Sequence, residues 1–258
     1  MYRSHQGIHY FICTTIALFV IGMHVFYEPS ILSSSRLSLE ESRHAINVLR
    51  LSIGDTVYVN DGSGHLYKTS IAESNPKKVL VGALEQVPIA SLKRHIHIGI
   101  GITRHADRLE WFVEKATEIG VREISLLITQ HTARHKVNIE RLAKISISAL
   151  KQSGNVYAPV ISDPVSFKSF VSQYKAPLTS MFESETLKLI CTATQERSLK
   201  SVVGGNENII SLIGPEGDFT DDELQMAITN NFLPVSLGPY RLRTETAALT
   251  IASALAVM

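Results

Sequence analysis

Apolar and polar positions change rhythm a third of the way along the chain. Up to about residue 90 the apolar runs are short and alternating: His24–Tyr27, Thr56–Asn60, His65–Ala72 and Lys78–Glu85 predict strands, with turns at Gly54-Asp55 and Asp61-Gly62. Among them Glu40–Leu51 predicts a short helix with Ala45, Val48 and Leu49 on one side. Without a longer helix to cover a sheet, these elements predict a small β-barrel or half-barrel over residues 23–90, with Pro88–Ser91 as a linker.

From residue 93 the pattern is strand then helix. Strands are predicted at Ile96–Ile102, Ile124–Thr129, Leu187–Thr192, Ile209–Ile213 and Val235–Leu237. Asp107–Ile119 carries Leu109, Phe112, Val113, Ala116 and Ile119 at helical spacing and ends at Gly120. Asp107-x-x-Glu110 predicts a capping box for that helix, and Thr220-x-x-Glu223 one for a helix from Asp221. Ile139–Gln152 and Thr244–Met258 complete the helices. Such alternation predicts an α/β domain over residues 93–258 with a mainly parallel sheet.

Ile8–Phe26 is nineteen residues without formal charge. It reads as a spanning helix, as a signal-peptide core, or as an extension upstream of a start at Met23. The third reading is preferred, which sets residues 1–22 outside the fold and makes a membrane location unexpected.

Composition adds class and charge. Of 258 residues 45% are hydrophobic, and 25 Lys+Arg against 24 Asp+Glu give a net charge of +1. Cys13 and Cys191 cannot make a disulfide framework and lack zinc-site spacing, so a reducing interior and no metal are expected. The neutral total conceals an asymmetry. Val25–Leu92 has six basic and seven acidic residues, whereas Lys93–Lys151 has eleven and six, with five of the ten histidines. Clustered positive charge is a footprint for phosphate backbones, and equally a set of solvated helix faces.

Two loops stand out chemically. Leu212-Ile213-Gly214-Pro215-Glu216-Gly217-Asp218 ends one strand, and Leu237-Gly238-Pro239-Tyr240-Arg241-Leu242-Arg243 follows another and opens a helix. Ligands of open α/β sheets sit at the carboxyl ends of strands, and arginines at the positive end of a helix dipole call for an anion. No GxxxxGK[ST] is present, and Gly99-x-Gly101 lies inside a strand without a third glycine, so neither a P-loop nor a dinucleotide fingerprint accounts for them.

The segments Trp111–Val121 (WFVEKATEIGV), Lys151–Gly154 (KQSG), GPEGDFT and LGPYRLRTETA together resemble the family of 16S ribosomal RNA (uracil-N3) methyltransferases, of the SPOUT class. In the first half His44-x-x-x-Val48-Leu49-Arg50, Gly54-Asp55 and Asp61-Gly62-x-Gly64 resemble the PUA-like RNA-binding barrel of that family. The resemblance implies a trefoil-knotted α/β domain behind a PUA-like barrel, S-adenosyl-L-methionine as cofactor, 16S rRNA in the small ribosomal subunit as partner, a homodimer, and a cytoplasmic location. It departs at Asn155 and Asp218, where arginine and glycine are common in the family, and at Arg104, which stands for a common lysine.

Carried onto this chain, the cofactor would be held by Thr192; by Leu212, Ile213, Gly214, Pro215, Glu216 and Gly217; and by Leu237, Gly238, Arg241, Leu242 and Thr246. Uridine N3 bears an imide proton, so methylation needs a proton acceptor and stabilisation of the developing uracil anion. Arg243 is assigned the electrostatic role, and Glu216 or Glu245 the proton or the orientation of an arginine. His44, Arg50, Lys68, Arg104, Arg108, Arg134 and Gln152 are the RNA contacts. A ribose 2′-O methylase of the same class and an RNA-binding protein without catalysis are the alternatives.

Overall fold

The computed structural model describes residues 23–89, 94–173, 186–192 and 197–258. The apolar segment before Met23 and the Pro88–Ser91 linker's end lie outside them. By their contacts the described residues form two units: those up to 89 together with Leu150–Ala158, and those from 94 to 149 together with Pro159–Met258.

The first unit is a five-stranded sheet. β1 (Val25–Tyr27) runs parallel to β2 (Thr56–Asn60), which pairs antiparallel with β3 (Leu66–Glu73), and both β4 (Leu80–Val81) and β5 (Glu85–Val87) add to β3. Alternate residues Val57 and Val59 of β2 point inward with Phe26, Ile31 and Ile71, all at most 1% exposed. A helical turn, α1 (Ile31–Ser34), precedes α2 (Leu39–Arg43), whose Ser38 cap accepts from the Glu41 N–H. The helix expected over Glu40–Leu51 then widens into a π-helical turn at His44–Val48. A wider turn rotates each successive side chain by less than the α-helical angle, so the apolar face slips out of its 3.6-residue register. Ala45 therefore stays in the core while Val48 swings outward to 64% exposed.

Leu150–Ala158 closes this unit from far along the chain. Asn60 Nδ2 donates to the Asn155 carbonyl (2.8 Å), the Gly64 N–H to Val156 O (2.9 Å) and the Ala158 N–H to Gly62 O (2.9 Å), while Lys151 Nζ pairs with Glu41 at 2.7 Å. Asn155 also exchanges hydrogen bonds with the Tyr157 backbone.

The second unit is a seven-stranded sheet with every pairing parallel. Its strands are β6 (His95–Gly101), β7 (Glu123–Ile128), β8 (Val160–Ile161), β9 (Val165–Ser166), β10 (Thr186–Cys191), β11 (Asn208–Ile213) and β12 (Leu233–Val235). The order is β12-β10-β11-β6-β7-β8, with β9 also on β7. Sheets covered on both faces are rich in apolar β-branched residues, as β6 and β11 are. Ile96, Ile98 and Ile100 of β6 and Ile209 and Ile213 of β11 join one core with α3 (Ala106–Ile119), α4 (Ile139–Ser153) and α8 (Thr244–Val257). Ile210 and Leu212 face the opposite core with α5 (Phe167–Gln173) and α7 (Asp221–Thr229). Each fully buried isoleucine contributes about 1.5–3 kcal/mol. A short α6 (Lys200–Val203) precedes β11.

Two local expectations shift. β12 covers Leu233–Val235, not Val235–Leu237, which leaves Ser236 and Leu237 in the loop beyond the strand. The helix expected to be capped by Asp107 starts at Ala106, its N-cap residue His105 makes no side-chain cap, and Glu110 pairs with Arg141 instead. Asp107 thus sits inside the first turn, where its charge still complements the dipole. Thr220-x-x-Glu223 does form a full capping box. Among the described residues no helix is long and apolar enough to cross a membrane.

Candidate functional site

Parallel strands place all their carboxyl ends on one edge, and loops leaving that edge have free backbone groups. In the second unit the loops after β11 and β12, together with the end of β10, enclose a cleft of about 330 Å³.

The first wall is the turn after β11. The Asp218 N–H donates to Pro215 O (2.9 Å), which folds Gly214–Asp218 tightly back on itself. That turn rests against the end of β6, where a Cβ on Gly101 would come within 2.4 Å of the Pro215 nitrogen. The Gly99-x-Gly101 pair is thus explained by close packing: a Cβ on Gly99 would meet Leu212 at 2.8 Å. Asp218 has φ +61°, a left-handed backbone usually taken by glycine but open to Asp. It is held there at both ends. Its Oδ1 accepts the Phe219 N–H (2.8 Å), and its carbonyl accepts from His131 Nδ1 (3.0 Å). Glu223 of the capping box spends its second oxygen on the Gln130 N–H (2.9 Å), tying this wall to the loop after β7.

The second wall is the loop from β12 into α8. Gly238 has φ +131°, which disfavours any side chain, and the Ser236 hydroxyl bridges it by accepting the Gly238 N–H and donating to the Gly238 carbonyl. Tyr240 is 82% exposed at the rim. Arg243 is the N-cap residue of α8 and caps nothing with its side chain. It lines the cleft at the positive end of the helix, with Arg241, whose Nη2 donates to the Glu216 carbonyl at 3.4 Å. The third wall is Cys191 and Thr192, where the Thr192 N–H donates to Val235 O (3.1 Å). Burial pushes the Cys191 thiol up, and Asp218 adds to the shift, so the sulfur is a neutral wall.

Glu216 is the hub of the charged contacts. Its Oε1 accepts the Arg104 N–H (2.9 Å) and lies 3.9 Å from Arg108 Nη1. Arg108 Nε is in turn 3.8 Å from Glu245 Oε1. Glu245 is 8% exposed, and its Oε2 has no hydrogen-bond partner among the described residues.

Of the residues expected to hold a cofactor, Thr192, Ile213, Gly214, Pro215, Glu216, Leu237, Gly238, Arg241 and Leu242 line the cleft, as does Arg243. Leu212 lies in the core, Gly217 faces His131, and Thr246 is exposed on α8 beyond the lining. Glu245 sits behind the cleft, on Arg108. Cys191 and Ser236 line it without having been assigned to the site; Asp218, Tyr240, Thr244 and Ala247 lie inside the quoted motifs and were legible there. The expected RNA contacts fall in both units. His44, Arg50 (φ +57°), Lys68 and Gln152 are exposed on the first, and Arg104 and Arg134 are exposed on the second. Arg108, expected among them, is half-buried between the two carboxylates. Among the described residues no group of His, Cys, Asp and Glu is placed to hold a metal ion.

The cleft fits S-adenosylmethionine in size and donor set. Apolar Ile213, Leu237, Leu242 and Ala247 suit an adenine ring, backbone at Gly214 and Gly238 is bare of side chains, and the Asp218 and Glu216 carboxylates suit a sulfonium and an ammonium group.

Comparison with known proteins agrees with this geometry. The RNA methyltransferase domain model matches residues 90–256, and the RNA methyltransferase PUA domain model matches residues 38–84. The ribosomal RNA small subunit methyltransferase E of Rickettsia conorii is 28% identical over 232 residues, covering 88% of this chain and 91% of that protein. The enzyme of the same name from Bacillus subtilis is 26% identical, covering 84% and 87%. The crystal structure of ribosomal RNA small subunit methyltransferase E from Neisseria gonorrhoeae, bound to S-adenosyl methionine, superposes with a TM-score of 0.79 at 27% identity, covering 91% of this chain and 97% of that one.

Proposed function

Since this chain belongs to the RNA methyltransferase family, we propose that it methylates 16S ribosomal RNA of the small ribosomal subunit, at N3 of a uridine, using S-adenosylmethionine. The observation that carries the reading is the cleft at the carboxyl edge, walled by two Gly-Pro loops and closed by an arginine at the start of α8. When bound, the cofactor supplies an electrophilic methyl group on a sulfonium sulfur.

The chain's own residues do the rest. The Gly214–Asp218 turn and the Leu237–Leu242 loop hold the cofactor, with Thr192 at the third side. Arg243, cationic and uncommitted as a cap, stabilises negative charge developing on the uracil ring once N3 loses its proton. Glu216 is the better acceptor for that proton, because it lines the cleft, whereas Glu245 lies behind it and steadies Arg108. A base whose Watson–Crick edge meets the cofactor must be unpaired or flipped out. The exposed cations of both units bind its RNA, and the enzyme works as a cytoplasmic homodimer.

The test is methylation of purified small subunits and of naked 16S rRNA, followed by nucleoside mass spectrometry. One 3-methyluridine is expected. A 2′-O-methyl nucleoside would replace this reading with the ribose alternative, and binding of S-adenosylmethionine without transfer to either RNA would leave a catalytically silent RNA binder.

A further inference from the structure

A second cavity, of about 240 Å³, opens at the same carboxyl edge, after β6 and β7. Its floor is apolar: Ile102, Leu109 and Leu142 are each at most 2% exposed. Its mouth is cationic, with Arg134 and Lys136 both exposed on the loop between β7 and α4. Neither forms an ion pair among the described residues. Arg141, on the remaining wall, is held by Glu110 through two parallel hydrogen bonds of 2.5 and 2.8 Å and is neutralised there.

The side-chain oxygens of Thr103 and Asn138 are already engaged. Thr103 Oγ1 donates to His105 O (2.8 Å), and Asn138 Oδ1 accepts the Arg141 N–H (3.0 Å). The buried floor therefore offers apolar surface, with the Asn138 amide exposed at its edge, under two unneutralised cations. A planar base with a phosphate at its rim matches that combination, and base identity matters little to it. The two cavities share a partition. Thr103 lines the second, and the next residue, Arg104, donates its N–H to Glu216 of the first.

We propose that the second cavity receives an unpaired nucleotide of the substrate RNA neighbouring the methylated one, its base on the Ile102–Leu109–Leu142 floor and its phosphate between Arg134 and Lys136. This rests on the RNA-methylation reading above. A nucleotide anchored there fixes the strand beside the cofactor cleft and helps keep the target base out of the stack.

Two kinds of variant separate floor from mouth. The double variant Arg134→Ala/Lys136→Ala should weaken 16S rRNA binding and lower the salt slope of log K by about 1.4, two phosphates at about 0.7 each. Ala106→Leu, at the half-buried first residue of α3, should fill the cavity and weaken binding about tenfold with the slope unchanged. S-adenosylmethionine affinity by calorimetry should stay within about twofold in both. RNA carrying 4-thiouridine beside the target should cross-link to residues 102–142 of the full chain. Parental affinity and slope in the double variant, with cross-links elsewhere, would overturn the proposal. The double variant alters exposed side chains, so it carries the test should Ala106→Leu not fold. Failure of the unaltered chain to bind S-adenosylmethionine or to methylate RNA would instead sink the underlying reading.

Discussion

The two ends of the parallel sheet are built from the same strands and do opposite things. At the amino end, histidine and arginine side chains are held by neighbouring groups, although the buried Thr186 hydroxyl has no partner among the described residues. His95 Nε2 meets Glu123 at 2.7 Å, His97 Nε2 meets Ser125 Oγ at 2.9 Å with the Phe170 ring edge-on at 5.5 Å, and Arg94 donates to the carbonyls of Asn206, Leu255 and Gly204. At the carboxyl end, Arg241 and Arg243 have no acidic partner and the buried Glu245 Oε2 has no donor among the described residues, and glycines bring backbone together. Closed polar networks lower the energy of the fold and leave nothing for a ligand. Open ones are tolerated where a ligand completes them. Breaking either end should therefore give different symptoms, stability at one and chemistry at the other.

The largest effect belongs to acid. Burial holds His97 at about 4, below its ordinary 6.5, with Glu123 opposing and His95 adding. Between those two pH values the unfolded chain binds more protons, so stability falls as pH drops from about 6.5 to 4. The full loss is on the order of 3 kcal/mol at about 1.4 kcal/mol per unit. His97→Gln should flatten that slope in urea titrations; an unchanged slope would remove His97 from the account. Next, Arg243→Ala should slow methyl transfer by about 10²-fold or more, with the melting temperature and cofactor affinity little changed; unchanged turnover would take Arg243 out of the chemistry. Arg94→Ala should then cost about 2 kcal/mol in denaturant, by freeing three carbonyls, while turnover per folded molecule stays the same. The smallest shift is expected of Asp218→Gly. Relief of the left-handed backbone and loss of the Phe219 hydrogen bond oppose each other, so stability should move by less than about 0.5 kcal/mol. A larger loss would mean that the Asp218 side chain, and not the backbone, holds the turn.

Much of the second unit was legible because its signals are local. Isoleucine-rich runs gave β6 and β11, apolar spacing gave α3, and Thr220-x-x-Glu223 gave the start of α7. Short elements were not legible: β8 and β9 are two residues each, and α5 is only seven residues long, although Ser166 caps it by accepting the Ser169 N–H. Arg108 shows the limit for the site. A helix-borne arginine in a basic segment reads as an RNA contact, and only the approach of Glu216 and Glu245 from distant segments turns it into an internal strut. The Asn155 departure likewise has a structural account, since its backbone and side chain bind Asn60 and Tyr157.

From sequence alone came the class of each unit, the two loops that wall the cleft, and the arginine at the head of α8. Periodicity, turn residues and helix starts act over a few residues, so they survive in a one-dimensional reading. Tertiary structure alone decided that Leu150–Ala158 belongs with the first unit, that Gly101 must lack a Cβ for Pro215 to approach, and that a second cavity with a cationic mouth lies beside the first. These depend on which groups, remote in sequence, come within a few ångströms of one another, and on which of them are left without a partner when the strands align.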